Sequence, residues 1–288
     1  MNTPQVIIAS LLALIAFAAN SIITRLALET TQIDEASFVT FRLVSGAVCL
    51  WCYLLSRKII GIHSSGNWLS ALALFIYAIS FTYGYGFISA GTGALILFGS
   101  VQITMTISGY IEGERLTMWQ WCGFGMAIIG LIILLLPGIS APSLVGSLLM
   151  SIAGIAWAIY TLQGRMSQHP KTNTAGNFIR AVPMVLLFWF VIHHGAIDKI
   201  AIDNMGLIYA LISGIITSAA GYIIWYAVLP SLKASEAAII QLCVPVLVTF
   251  SGVIFLNEII TLRVAIASLT IILGTLLVLT FTRTNKAK

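Results

Sequence analysis

The chain has 288 residues, 59% of them hydrophobic and 8% charged, and its mean hydropathy is +1.04. A soluble globular domain carries roughly a quarter charged residues, so water is excluded as the main solvent; at about 20 apolar residues per crossing, the length holds roughly ten spans and no soluble domain. The net charge of +5 does not point to nucleic acid, because the fourteen Lys and Arg are scattered between apolar runs rather than gathered in a stripe.

The chain opens on Met1 to Gln5, which lacks the basic segment of a signal peptide, so Ala16-Phe17-Ala18 reads as part of an uncleaved first span. Apolar runs follow at 5–27, 36–56, 67–88, 91–111, 117–136, 143–163, 175–193, 204–229, 234–256 and 261–281, each long enough to cross a bilayer as a helix. Barrel strands would alternate over about ten residues, and Ile128 to Leu136 shows no alternation. The expected fold is an all-α integral membrane protein with ten transmembrane helices. With both termini cytoplasmic, Arg57, Lys58, Arg115, Arg165, Lys171, Lys233, Arg283, Lys286 and Lys288 lie inside, against Lys199 and Arg263 outside. The positive-inside rule favours that orientation.

Polar and aromatic residues inside the spans are the candidates for a substrate cavity, expected near the midplane. In the first span, Asn20 either lines such a cavity or holds a neighbouring helix. Arg42 in the second span and Arg180 in the seventh are permanent charges that must snorkel or find partners. They either bind anionic groups or, the preferred reading, pair with loop carboxylates and helix-end carbonyls. The third span offers Tyr77 and Tyr83. In the fourth, Ser100, Thr104 and Ser108 share a face as packing groups. Gln102 is costlier to leave unpaired and suits the carboxylate or ammonium of an amino acid.

Trp157 and Tyr160 in the sixth span, with Trp225 and Tyr226 in the eighth, lie deep enough to clamp an apolar side chain, ordinary packing being their plainer role. Trp51, Trp68, Trp119, Trp121 and Trp189 fall toward span ends or lipid-facing stretches. In the ninth span Gln241, Pro245 and Thr249 recur at i, i+4 and i+8 and share a face. Pro245 frees the Gln241 carbonyl for a ligand or a bend. The expected substrate-binding set is therefore Trp157, Gln241, Gln102, Tyr83, Tyr77, Tyr160 and Asn20, with Pro245 as gating hinge.

Nothing in the sequence argues for catalysis. His63, His169, His193 and His194 fall in loops or at span ends, away from any buried nucleophile. No Walker motif points to ATP as a direct energy source. Cys49, Cys52, Cys122 and Cys243 lie inside apolar runs as small hydrophobes. No cofactor or metal is expected.

The end of each half of the chain looks alike: Glu114-Arg-Leu-Thr117 matches Glu258-Ile-Ile-Thr261, and Gly130 matches Gly274 at the same offset. Looser matches pair Phe17 with Trp157, Arg25 with Arg165, and Phe41-Arg42 with Ile179-Arg180. Residues 1–137 and 138–288 are then two five-helix repeats. Since five is odd, the second enters from the opposite face, an inverted repeat of the kind many alternating-access transporters use.

The Gly113-Glu114-Arg115-Leu116 signature before a Gly-rich span, its echo at Asn257-Glu258, and Trp157-Ala-Ile-Tyr160 resemble the drug/metabolite transporter superfamily, specifically its EamA family. The chain also looks like the bacterial aromatic amino acid exporters. The resemblance covers essentially the whole chain. It implies a multi-pass protein of the bacterial inner membrane that exports small metabolites, amino acids above all, as a secondary or facilitative carrier, with a monomer as the expected unit. Two departures stand out: Val101 occupies the fourth-span position equivalent to Pro245, and Phe17 replaces the usual first-span Trp. The rival readings are a sugar-phosphate or nucleotide-sugar carrier, which would want several cavity cations, and a multidrug cation exporter, which would want a carboxylate deep in a span. A membrane receptor or scaffold would be expected to carry a larger loop or domain.

Overall fold

The computed structural model describes residues 3–56, 65–113, 117–136, 141–167, 169–195 and 200–284. The helices are α1 (Thr3–Thr30), α2 (Glu35–Ser56), α3 (Trp68–Tyr85), α4 (Ala90–Ile111), α5 (Met118–Leu135), α6 (Leu144–Arg165) and α7 (Pro170–His193). They continue with α8 (Asn204–Ile212), a π-helical segment Ser213–Ala220, α9 (Gly221–Val228), a 3-10 turn Leu229–Ser231, α10 (Ala234–Gln241), α11 (Cys243–Leu256) and α12 (Leu262–Thr284). Among the described residues eight helical stretches are long and apolar enough to cross a membrane, with Asn204–Ser231 and Ala234–Leu256 each counting as one. The shorter apolar helices Trp121–Leu134 and Leu262–Gly274 complete a ten-helix bundle, as the apolar runs require. Spans are numbered in chain order, so the eighth runs from α8 to the 3-10 turn, and the ninth joins α10 to α11.

Several expected features fall outside the described residues: Glu114 to Leu116 of the signature, the boundary at 137/138, His63, and the charges Arg57, Lys58, Lys199, Lys286 and Lys288. Where the bundle is described, its packing has a pattern. α3 lies along α6, and the eighth span lies along α1; α4 lies on α6, and the ninth span lies on α1. α2 faces α7, α4 faces the ninth span, and α5 faces α12. Each pairing has a counterpart displaced by five spans around the set, or is its own counterpart. The Gly130 and Gly274 pair sits where α5 meets α12. A methyl at Gly130 would fall 2.6 Å from the Ile271 side chain, and one at Gly274 would fall 2.5 Å from the Gly123 carbonyl. These two helices approach along glycine because lipid supplies no hydrophobic drive and close backbone packing must do so instead.

The ninth span breaks at Leu242, between α10 and α11. Pro245 has no N–H to offer the Gln241 carbonyl, and its ring opposes a continuous helix there. The fourth span, with Val101 at the offset matched to Pro245, runs unbroken from Ala90 to Ile111. The two spans therefore differ in the one residue that decides the kink.

Glu258 caps a helix distant in sequence rather than the one that follows it: its carboxylate accepts from the Ala90 and Gly91 amides, the latter at 3.3 Å, at the N-terminus of α4. Asn257 turns the chain in a left-handed conformation at φ 52° and Glu258 reaches across. An acidic group there satisfies orphan donors and meets the positive end of the helix dipole. The following helix is capped by Thr261, whose hydroxyl accepts from the Val264 amide at 3.3 Å.

Candidate functional site

The centre of the bundle is filled by aromatic rings around Trp157, which is 2% exposed. Its ring lies 5.2 Å from Phe17 of α1, 4.9 Å from Tyr77 of α3, 4.8 Å from Tyr222 of α9 and 5.6 Å from Tyr160 of its own helix. Phe17 in turn meets Trp225 at 5.8 Å. Such pairs contribute about 0.5–1.5 kcal/mol each beyond area burial. The Trp157 indole N–H donates to Gln241 Oε1 at 2.6 Å, and Gln241 Nε2 donates to the Ala237 carbonyl at 3.0 Å. Gln241 thereby ties the last turn before the ninth-span break to the aromatic node. Tyr160 stacks on Tyr226 at 4.8 Å, and the Tyr226 hydroxyl donates to the Tyr160 carbonyl at 2.8 Å.

Beside this node the π-helical segment of the eighth span meets α2. Its small residues permit a very close approach: a methyl at Gly214 would fall 2.3 Å from the Arg42 carbonyl oxygen. π turns inside α-helices occur frequently at functional sites. Here Ser213 and Thr217 donate to Asn20 Oδ1 at 2.7 and 2.9 Å. Arg42 Nε donates to Ser218 Oγ at 3.0 Å, and Nη2 donates to the Tyr222 hydroxyl at 3.0 Å. The guanidinium carbon lies 5.0 Å from the Phe81 ring and 5.5 Å from that of Tyr77.

The structure thus brings Trp157, Tyr77, Tyr160 and Gln241 together. Asn20 engages the π segment on the same side of α1. Gln102 is buried on α4, where Nε2 donates to Thr106 at 3.1 Å while Oε1 has no partner. Tyr83 stands apart: six residues from Tyr77 it points from another face of α3, and its ring meets Phe188 of α7 at 6.0 Å. Ser100 and Thr104 bond back to the Ile96 and Ser100 carbonyls of their own helix, as packing groups do. Arg180 donates to the carbonyls of Ser65, in the segment before α3, and of Gly176 within its own helix, so backbone carbonyls are among its partners. Arg42 departs from expectation: buried well inside α2, it pairs with hydroxyls instead of loop carboxylates or carbonyls. Its hydroxyl partners Ser218 and Tyr222 were missed. The signal existed, since Gly214, Ser218, Tyr222 and Tyr226 recur every fourth residue on one face.

Both ends of the bundle are tied. At the end holding Thr30, Arg25 pairs with Glu29, lies 3.9 Å from Glu258, and donates to the Tyr85 carbonyl. At the end holding Thr3, Arg165 of α6 pairs with Glu112 beyond α4. Near the first tie a cleft of about 330 Å³ is lined by Phe87, Ser89, Thr92, Pro142, Ser143 and Thr261. A larger groove of about 450 Å³, lined by residues such as Ala9, Cys49, Ala219 and Ile223, is almost wholly apolar. It suits a lipid chain better than a polar metabolite, and the node itself offers the more specific chemistry.

Comparison with known proteins gives this architecture a family. The model of the EamA-like transporter family matches residues 5–136 and again 144–280. An uncharacterized protein of Pseudomonas aeruginosa is 43% identical over 97% of this chain and 96% of its own length. An uncharacterized transporter of Bacillus subtilis is 24% identical, covering 84% of this chain and 86% of its own. A "probable amino-acid metabolite efflux pump" of Salmonella typhimurium is 24% identical over 60% of this chain and 61% of its own. One solved crystal structure shares the fold at a TM-score of 0.68, with 16% identity over 96% of this chain and 98% of that one. With two matches of the family model that together span nearly all of its length, the chain belongs to the EamA-like transporter family.

Proposed function

We propose that this member of the family is a secondary or facilitative exporter of small metabolites, amino acids first among them, working by alternating access in a bacterial inner membrane with both termini cytoplasmic. Residues 1–137 and 138–288 act as two inverted five-helix halves. The observation that carries this reading is the central node, built from α1, α2 and α3 of the first half and α6, α9 and α10 of the second. A site on the seam between repeats can face either side as the halves rock. The ties at the two ends supply the corresponding closures: Arg25 with Glu258, and Arg165 with Glu112. In this arrangement both are made and the node is closed to water. The displaced packing pairs support the repeat, and the likeness to the Salmonella probable amino-acid metabolite efflux pump supports the substrate class.

The test is uptake of labelled aromatic, aliphatic, hydroxylated and charged amino acids into proteoliposomes, with and without a proton gradient. Saturable uptake of at least one amino acid is expected, and its response to the gradient separates coupled from facilitated transport. Folded protein that moves none of the panel contradicts the substrate class.

A further inference from the structure

Arg42 is 1% exposed and sits seven residues into α2, about 10 Å along the helix from its start. Two of its nitrogens are held by Ser218 and Tyr222, and Nη1 has no hydrogen-bond partner. The ion pairs of the described residues join Arg25, Arg165 and His193 to Glu29, Glu258, Glu112 and Asp34; none includes Arg42. Among the described residues, the acidic side chains all lie in loops or at helix ends. A permanent charge buried in hydrocarbon without a counterion is costly, and apolar packing would serve stability better. Something that carries the missing negative charge accounts for its presence.

We infer that Arg42 anchors the carboxylate of the transported substrate, with Tyr77, Trp157 and Tyr222 receiving its apolar body. This rests on the transport reading above and deepens it. The planar guanidinium fork matches a carboxylate with two parallel hydrogen bonds. Ser218 and Tyr222 hold the fork at one side, so its remaining edge is already oriented. With one cation and no acid at the node, carboxylates of net charge −1 or 0 are favoured, and amines without a carboxylate are repelled. Phosphate esters, which carry up to two charges, would want a second cation.

Thermal unfolding of the purified full chain in detergent, titrated with four probes, tests this: L-phenylalanine, L-leucine, 3-phenylpropionate and phenethylamine. The three carboxylates raise Tm in the wild type and phenethylamine does not. In Arg42→Gln the half-maximal concentration rises at least about tenfold, while Tm without probe does not fall, an outcome a purely structural arginine would not give. If Arg42→Gln does not fold, Arg42→Lys is read instead, with a weakened but measurable response. Wild-type affinity retained in the variant that is read, phenethylamine stabilising as well as phenylalanine, or no response to any carboxylate overturns the anchor. A response to 3-phenylpropionate without one to either amino acid keeps the anchor and removes the amino acid reading. Amino acid responses that survive Arg42→Gln at wild-type affinity do the reverse.

Discussion

Trp157 touches rings from three other helices and closes a hydrogen bond to Gln241, so its two functions can be separated by substitution. Trp157→Phe keeps a ring and deletes the N–H, leaving Gln241 Oε1 short of its donor. The expected loss is about 1 kcal/mol of stability, read by thermal unfolding in detergent, together with slower uptake in proteoliposomes. Tyr83→Phe, in contrast, changes a residue whose ring faces Phe188 away from the node, and uptake at the wild-type rate is expected. Wild-type transport in Trp157→Phe together with a defect in Tyr83→Phe would relocate the site. Trp157, Tyr77 and Gln241 were legible in the sequence because bulky or amide side chains deep in a span stand out against aliphatic neighbours. Ser218 and Tyr222 share a face that the sequence shows, yet their role depends on which helix faces α2, and Arg42 alone does not say where its partners lie. Tyr83 was misleading for a related reason: depth along a span was readable, whereas the face it presents was set by packing against α7.

At the scale of elements, the ninth span is the one in which local sequence decides most. Pro245→Ala restores an N–H that the Gln241 carbonyl can accept, so α11 should extend back through Leu242 into α10. Uptake is expected to slow, and hydrogen exchange of the amides around Leu242 to decrease, without loss of fold. Unchanged exchange and unchanged uptake would show that the break does not serve as the hinge. The α5 and α12 pair offers a different test, because Gly130 and Gly274 sit at its contact. Gly130→Leu forces a side chain against Ile271 and is expected to lower stability by about 1–3 kcal/mol, read as a fall in Tm. The sequence exposed this pair through a matched offset, since close helix approach leaves glycine as its trace. It did not expose the π-helical segment: Ser213–Ala220 reads as ordinary apolar helix, and only packing of Gly214 against α2 explains the widened turns. Nor did it reveal that Glu258 caps α4, since a capping partner distant in sequence leaves no local signature.

At the scale of the whole molecule, an arginine tie joins described helices at each end of the bundle, and these ties are the contacts that the proposed rocking of the halves would alternate. Glu258→Gln weakens the Arg25 tie and the cap on α4. A Thr92→Cys reporter in the adjoining cleft, in a background with the four native cysteines replaced by alanine, is then expected to react faster with a membrane-impermeant maleimide. An unchanged labelling rate would mean the tie does not control that side. The ten spans were legible from apolar run lengths alone because the bilayer sets one length for every crossing. Which spans meet was not legible, apart from what the internal matches implied, because packing partners inside lipid are chosen by small residues and buried polar groups. The central claim is that the node around Trp157 is where substrate binds during transport. Equilibrium counterflow of labelled amino acid in proteoliposomes tests it most directly, comparing wild type, Trp157→Ala and Tyr83→Phe at equal amounts of folded protein. The account predicts counterflow in the wild type and in Tyr83→Phe, and a fall of at least about tenfold, ~1.4 kcal/mol, in Trp157→Ala. Equal counterflow in all three proteins would contradict it.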